Sequence, residues 1–446
     1  MAKSFLQLGV SEALVQSLNT LKITDPTEIQ EKSIPALLEK TDDFVGVART
    51  GTGKTLAFGL PLLQQVDVSN TTVQGVILVP TRELGQQIAT HLEAVANAIP
   101  GISIGLVCGG TPIKPQIERL TQPTHIIIAT PGRLIDLLER NAVSLKDTKT
   151  LVLDEADEMM SALKDGLDTL VAELPKSRRT WLFSATMPGT IKQLIQNYMS
   201  KQVIQITASE QPTGKQEIKH QYSIVEPIEK LDVLMHFLTA HDGERGIIFC
   251  KTKAAVNKLA KNLAINRFSS GALHGSLTQP IRDRIMAQFR EGHINIVVAT
   301  DLAARGIDVE GLSYVVHYHL PDVYETYVHR SGRTGRAGKS GLSLTILQPE
   351  EAAEIQDFEK ELGIKFSIYE KPTQDSIEGN NTYLWAKQIF KTKPNHDIDP
   401  GLKEKVKTVF HHLTKDELIE KMLANYVLQH KIETGPKDAV VKKRKR

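Results

Sequence analysis

The sequence predicts an α/β protein of two tandem parallel-sheet domains with a short basic C-terminal extension, and three observations carry that prediction. Short runs rich in Val and Ile alternate with amphipathic helical stretches over about the first 350 residues. A polar, strandless interval, ASEQPTGKQE at 208–217, divides the runs into two series. From Lys371 onward there are 16 Lys and Arg against 10 Asp and Glu, a balance of +6, whereas the remaining 38 against 42 give −4. The expected organisation is a first domain at 1–208, a linker at 209–217, a second domain at 218–370 and the extension at 371–446.

The first series comprises FVGVA (44–48), VILVP (76–80), HIIIA (125–129), TLVLD (150–154) and TWLFS (180–184). The second comprises GIIFC (246–250), INIVVA (294–299) and YVVHY (314–318). Continuous apolar runs mark strands buried on both faces, as in parallel sheets covered by helices. Ligands of such sheets bind beyond the carboxyl ends of the strands, so the residues after each run are the candidates for chemistry. In the extension, TKDELIEKMLANYV (414–427) opens with a capping box, Thr414 to Glu417. It sets Leu418, Met422 and Tyr426 on one helical face, a face expected to pack on the second domain. The closing KKRKR (442–446) is a basic run of the kind that touches nucleic acid.

At 446 residues the chain exceeds one ordinary core, and its 24% of charged residues is ordinary for a soluble globular protein. Cys108 and Cys250 both lie inside apolar runs, which points to a reducing compartment and excludes a disulfide framework. The opening MAKSFLQLGVSEALVQ has no apolar stretch resembling a signal peptide, and no segment approaches bilayer length. A cytoplasmic location without a membrane partner is the expectation.

The run at 44–48 leads into ARTGTGKT (48–55), a phosphate-binding loop with Ala48 in place of the usual first glycine. Along Thr50, Gly51, Thr52 and Gly53 the backbone N–H groups converge on phosphate oxygens, Lys54 offers a point charge, and the Thr55 hydroxyl can ligate magnesium. At the end of TLVLD three acids, Asp154, Glu155 and Asp157, crowd into four positions and repel one another unless a positive charge is near. Mg2+ held by Thr55 and bound phosphates would supply it: Asp154 would bind the metal, directly or through water, and Glu155 would position and activate the attacking water.

Residues 154–157 spell DEAD, and with the loop they make the chain resemble the DEAD-box RNA helicases over roughly residues 5–345. That resemblance implies RecA-like domains, ATP and RNA as ligands, and a set of further roles. DPTEIQ (25–30) is similar to the family's adenine-reading Q motif, with Gln30 as nucleotide selector and Phe5 as the isolated upstream aromatic that stacks on the base. Lys22 and Ile23 stand where the family has a glycine and an aromatic. PTREL (80–84), the pair Gly109 and Gly110, and TPGR (130–133) resemble the RNA-backbone elements, through Thr81, Arg82, Thr130 and Arg133. SAT (184–186) resembles the element that couples hydrolysis to RNA, Ser184 and Thr186 reaching the DEAD acids and a residue across the cleft.

The second series completes the resemblance. ATDLAARGID (299–308) implies Thr300 and Gly306 toward RNA and Asp308 toward the ribose hydroxyls. HRSGRTGR (329–336) implies Arg333 and Arg336 as arginine fingers, with His329 meeting the SAT and DEAD elements, Asp157 included. SLTQPIRDR (276–284) implies RNA contacts from Gln279 and Arg282. Half-sites on two domains make ATP and RNA raise each other's affinity by closing one cleft, so unwinding is expected to be local rather than processive. A DNA translocase and an ATP-controlled RNA clamp with little unwinding are the rival readings. The compact core and short tail resemble bacterial members concerned with ribosome assembly, RNA decay and growth in the cold, whose proteins are the partners so implied. The Lys-rich stretch around Tyr383, Trp385 and Phe390 suggests either that the extension tethers RNA or that YLWAKQIF is a packed helix with an apolar face.

Overall fold

Val, Ile and Leu side chains on both faces of a strand need cover on both sides, and only a sheet sandwiched between helices provides it. A computed structural model of the chain describes residues 3–39, 42–48, 51–163, 166–208, 218–304, 312–335, 340–393 and 397–433. Its first sheet contains β1 (Asp43–Val47), β2 (Gly75–Leu78), β3 (Ile104–Val107), β4 (Ile126–Ala129), β5 (Thr150–Asp154), β6 (Arg179–Ser184) and β7 (Val203–Thr207). The second contains β8 (Ile218–Ile224), β9 (Gly246–Phe249), β10 (Ser270–Leu273), β11 (Ile296–Ala299), β12 (Tyr314–His317), β13 (Gly341–Leu347) and β14 (Phe366–Ile368). Every pairing between these strands is parallel. The strand orders are β3-β4-β2-β5-β6-β1-β7 and β10-β11-β9-β12-β13-β8-β14. Renumbered from one, the second order reproduces the first, so the domains repeat one topology that shows no repeat in sequence.

Side chains alternate between two cores across the first sheet. Val152 of β5 joins Phe44, Phe58, Trp181 and Phe183 on one face, while Leu151 and Leu153 join Leu134, Leu170 and Leu182 on the other. Phe183 sits between Phe44 and Phe58, ring centroids 5.5 and 5.2 Å away. All eight runs expected to be strands are strands, to within two residues at each end. The six other strands escape notice because they are short, begin on glycine, or carry polar residues, as in IKHQYSI of β8. The linker at 209–217 lies outside the described residues, between the end of β7 and the start of β8.

The extension is helical at Gln374–Lys391, Pro400–Phe410 and Lys415–Glu433. The first helix packs on Lys230–Ala240 of the second domain, with Leu384 against that domain's core and Lys387 paired to Asp242. The capping box forms as expected: the Thr414 N–H donates to Glu417 at 2.8 Å and the Glu417 N–H to the Thr414 hydroxyl at 3.2 Å. The helix it starts was expected to pack on the second domain. Its Tyr426 stacks on Trp385 of the extension's own first helix, centroids 4.5 Å apart, and it is that first helix which packs on the second domain.

Lys22 explains itself once the backbone is seen. It has φ +60 at the end of helix Glu12–Thr20, where the Lys22 N–H donates to Asn19 O at 3.0 Å and the Ile23 N–H to Leu18 O at 2.9 Å. This is a Schellman motif, whose left-handed position favours glycine, closed by the apolar Ile23. A lysine there costs about 1–2 kcal/mol, less the roughly 0.5–1 kcal/mol of chain entropy that glycine would lose. Lys22→Gly should therefore stabilise the first domain by roughly 0.5–1 kcal/mol, read as a raised urea midpoint at unchanged slope.

Candidate active site

Residues 51–53 lead into the helix Lys54–Gln64, whose amino end attracts anions. Gly51 and Gly53 have φ of +83 and +91, which curls the backbone N–H groups inward. Gln30 is 2% exposed, and its amide holds the loop: Nε2 donates to Gly53 O at 2.9 Å while Oε1 accepts from the Thr27 N–H at 2.9 Å. A Cβ at position 53 would stand 2.3 Å from Gln30 Nε2, so the glycine is needed for space as well as for φ. Lys54 is buried, and its Nζ has no hydrogen-bond partner. Thr52 and Thr55 are half-buried beside it, and Thr50 lies outside the described residues. Phe5 was expected as a stacking face, but it is 2% exposed and packs in the core with Leu8 and Ile29. Stacking on a base requires that ring to be uncovered first.

β5 ends in the acid cluster. The Asp154 carboxylate accepts the Glu155 N–H at 3.0 Å, and Glu155 itself is held at φ +51, a strained backbone for a residue with a side chain. Burial pushes the pKa of Asp154 up to about 6, and burial together with the charges of Glu158 and Asp154 pushes Glu155 up to about 7; Lys54 opposes both shifts. The Oε2 atom of Glu155 is buried without a hydrogen-bond partner. An orphaned ammonium and an orphaned carboxylate oxygen within electrostatic reach of each other fit a bound phosphate and cation. One carboxylate and one hydroxyl with phosphate oxygens is a donor set that Mg2+ accepts.

Asp157 carries the link to the second domain. Its Oδ2 accepts from the Thr186 N–H at 3.0 Å and the Thr186 hydroxyl at 2.8 Å, as the sequence implied. Ser184 does not reach the acids: buried at the end of β6, its hydroxyl donates to Thr186 O at 2.8 Å and braces the same turn. From the second domain His329 enters with Nε2 3.4 Å from Asp157 Oδ2 and Nδ1 hydrogen-bonded to Glu158 Oε1. Arg333 is buried, bonds His329 O at 3.3 Å and acts electrostatically on Glu155. Gly306, Asp308 and Arg336 lie outside the described residues.

The other lip of the cleft gathers the implied RNA-contacting residues. Thr81 caps helix Arg82–Ala96 by accepting the Leu84 N–H at 3.3 Å, and Nη1 of Arg82 is buried and unpartnered. The Gly109 N–H donates to the Thr130 hydroxyl at 3.1 Å, and Arg133 donates to Thr111 O at 2.9 Å. Gly110 lies against Gln279 of the second domain. Arg282 pairs with Glu83 of the first domain at 2.9 Å, and Gln279 reaches the same carboxylate at 3.3 Å. Thr300 follows β11, its N–H donating to Leu273 O at 3.2 Å.

Sequence reasoning passed over four residues of this frame. Glu83 and Glu158 cross the cleft, and Asp301 grips the buried Arg330 with both oxygens at 2.5 and 2.8 Å. Asp301 and Arg330 stand inside motifs already quoted, at the end of β11 and beside His329, so position was the available signal. Glu83 stands inside PTREL in the same way, whereas Glu158 lies one residue past the DEAD acids; the partners of both are more than 150 residues away.

Two parallel-sheet domains, one bringing a phosphate loop and acids to a cleft and the other a histidine and an arginine, define a two-domain nucleoside triphosphatase of the helicase kind. The family described as DEAD/DEAH box helicase matches residues 27–194, the helicase conserved C-terminal domain matches 229–338, and a helical domain of probable ATP-dependent RNA helicases matches 377–426. The DEAD-box ATP-dependent RNA helicase CshA of Bacillus cereus is 36% identical over 397 residues, 89% of this chain and 75% of that protein. Saccharomyces cerevisiae Dbp5 bound to RNA and ADP BeF3 superposes with TM-score 0.76 at 30% identity, covering 86% of this chain and all of the other. Mss116p bound to ssRNA and AMP-PNP gives 0.75 at 26%, covering 86% and 82%. The chain belongs to the DEAD-box ATP-dependent RNA helicases, enzymes that hydrolyse ATP, and its sheets are tandem RecA-like domains.

Burial alone would lower the His329 pKa, but the carboxylates of Asp157 and Glu158 outweigh it and hold the imidazolium up to about 10. Asp157 is held well below the usual carboxylate range: burial opposes this, but His329, Lys54 and Thr186 prevail. A histidine whose pKa is raised from about 6.5 stabilises docking fully below that pH and loses its contribution as pH climbs toward 10. Energy transfer between dyes on the two domains should accordingly fall from pH 6.5 to 9.5, and His329→Gln should flatten the slope.

Proposed function

We propose that the chain is an RNA-stimulated ATPase that separates short RNA duplexes locally and then resets. The observation that carries this reading is the clasp of Asp157 and Glu158 on His329 beside a buried, unpartnered Lys54: the phosphate pocket and the domain contact share one turn of chain. The RNA-bound and nucleotide-bound states named for Dbp5 and Mss116p support RNA and ATP as the ligands.

In this reading Gln30 selects adenine, and its bond to Gly53 transmits occupancy of the base site to the phosphate loop. Lys54 takes the β and γ phosphates, with the N–H groups from Thr50 to Gly53 around them. Thr55 and Asp154 would hold Mg2+, which when bound would neutralise phosphate charge. Glu155 accepts a proton from the attacking water, a role served by its raised pKa and open Oε2. Arg333 and Arg336 stabilise charge on the departing phosphate, and Asp308 binds the ribose. Phe5, once uncovered, completes the base site. Asp157, Ser184, Thr186 and His329 couple that chemistry to the cleft. Thr81, Arg82, Gly109, Gly110, Thr130 and Arg133 grip the RNA backbone from the first domain; Gln279, Arg282, Thr300 and Gly306 do so from the second. Backbone contacts position a strand without reading it, so little sequence specificity is expected.

The domains are assigned to residues 1–208 and 218–370, joined at 209–217 and followed by the extension. Two buried cysteines without disulfides support a cytoplasmic location, and RNAs of ribosome assembly or decay are the substrate class.

ATP hydrolysis measured with and without single-stranded RNA, against the same DNA sequence, tests the reading. RNA alone should stimulate turnover, and Glu155→Gln should cut it by about 10²–10⁴-fold while retaining an ATP-dependent RNA complex. Equal stimulation by DNA would indicate a translocase. Long-lived RNA complexes without strand release would indicate a clamp.

A further inference from the structure

The helix Pro400–Phe410 is out of balance with its surroundings. It spans 11 residues, none of them buried, and isolated helices shorter than about 12–15 residues are marginal in water. Yet it displays Leu402, Val406, Val409 and Phe410 at 54, 47, 74 and 43% exposure. Leu402, Val406 and Val409 are spaced four and three apart, the seam that one helix offers to another. A contiguous apolar stripe of this kind marks an interaction site.

Charge says what covers it. Lys403 and Lys405 flank the seam on its two sides, at the positions that face a partner helix's own flanks. The helix's one acid, Glu404, points away and is paired with Lys407 at 2.7 Å. A second copy would set lysines against lysines in either orientation, and the chain's closing KKRKR has the same sign. Single-stranded RNA stacks its bases on aromatic rings, whereas the seam residues Leu402, Val406 and Val409 are aliphatic and Phe410 lies on its flank. We propose that Pro400–Phe410 is a docking face for a protein partner that presents an amphipathic helix with Asp or Glu beside its apolar seam.

The probe is a three-heptad peptide with Leu at the seam and Glu at both flanks, whose own glutamates keep it from pairing with itself. A peptide of the same design with Lys flanks and an oligouridine strand serve as controls. With the full chain, anisotropy should show salt-sensitive binding of the Glu peptide and none of the Lys peptide. Val406→Asp should weaken binding about tenfold or more. Lys403→Glu combined with Lys405→Glu should transfer preference to the Lys peptide, and RNA-stimulated ATP hydrolysis should be unchanged in every variant. Failure of the Glu peptide to bind, equal binding of both peptides, or unchanged preference after charge reversal would overturn the proposal. Loss of oligouridine affinity in Val406→Asp would assign the face to RNA instead, and a concentration-dependent dimer abolished by Val406→Asp would assign it to self-association.

Discussion

Four carboxylates, those of Asp154, Glu155, Asp157 and Glu158, lie within five residues of chain where β5 leaves the first core, all of them screened from water. Unpaired charge at that depth is costly, and the cleft is organised around meeting the cost. Lys54 opposes the charge from beneath, and His329 and Arg333 enter from the second domain. The cluster is thus where Lys54 of the phosphate loop meets His329 and Arg333 of the second domain.

The second lip of the cleft works more gently. Glu83 with Arg282 and Gln279 is partly exposed, so each contact is worth little by itself. Being partly exposed, they add less to the contact between the domains than the buried clasp does. Arg82 and Arg133, each with a buried guanidinium nitrogen lacking a partner, face the same region from the first domain. The frame thus has one strong, desolvated joint at the phosphates and one weak, adjustable joint beside the candidate RNA face.

The extension departs from this logic. Its first helix is fastened to the second domain through Leu384 and Lys387, and its third closes on the first through Trp385 and Tyr426. Stacked on Tyr426, Trp385 is engaged as packing, which leaves Tyr383 and Phe390, at 51 and 88% exposure, as the exposed aromatics of the three first associated with RNA. The middle helix keeps its apolar stripe for something outside the chain.

The sequence by itself determined the strands that matter most, because β1, β2, β4, β5, β6, β9, β11 and β12 are buried on both faces and carry unbroken apolar runs. It determined the loop at 48–55 and the acids after β5 as well, since phosphate chemistry demands those residue types at those spacings. Only the tertiary structure decided that the two domains share one strand order, because topology is held by packing and not by residue identity. It also decided that Phe5 is core, that Gln30 grips Gly53, that Lys22 occupies a glycine's backbone position, and that Glu83 and Glu158 reach across the cleft. Each of these depends on which atoms lie within a few ångströms after folding, and contacts across 150 or more residues leave no periodic trace along the chain.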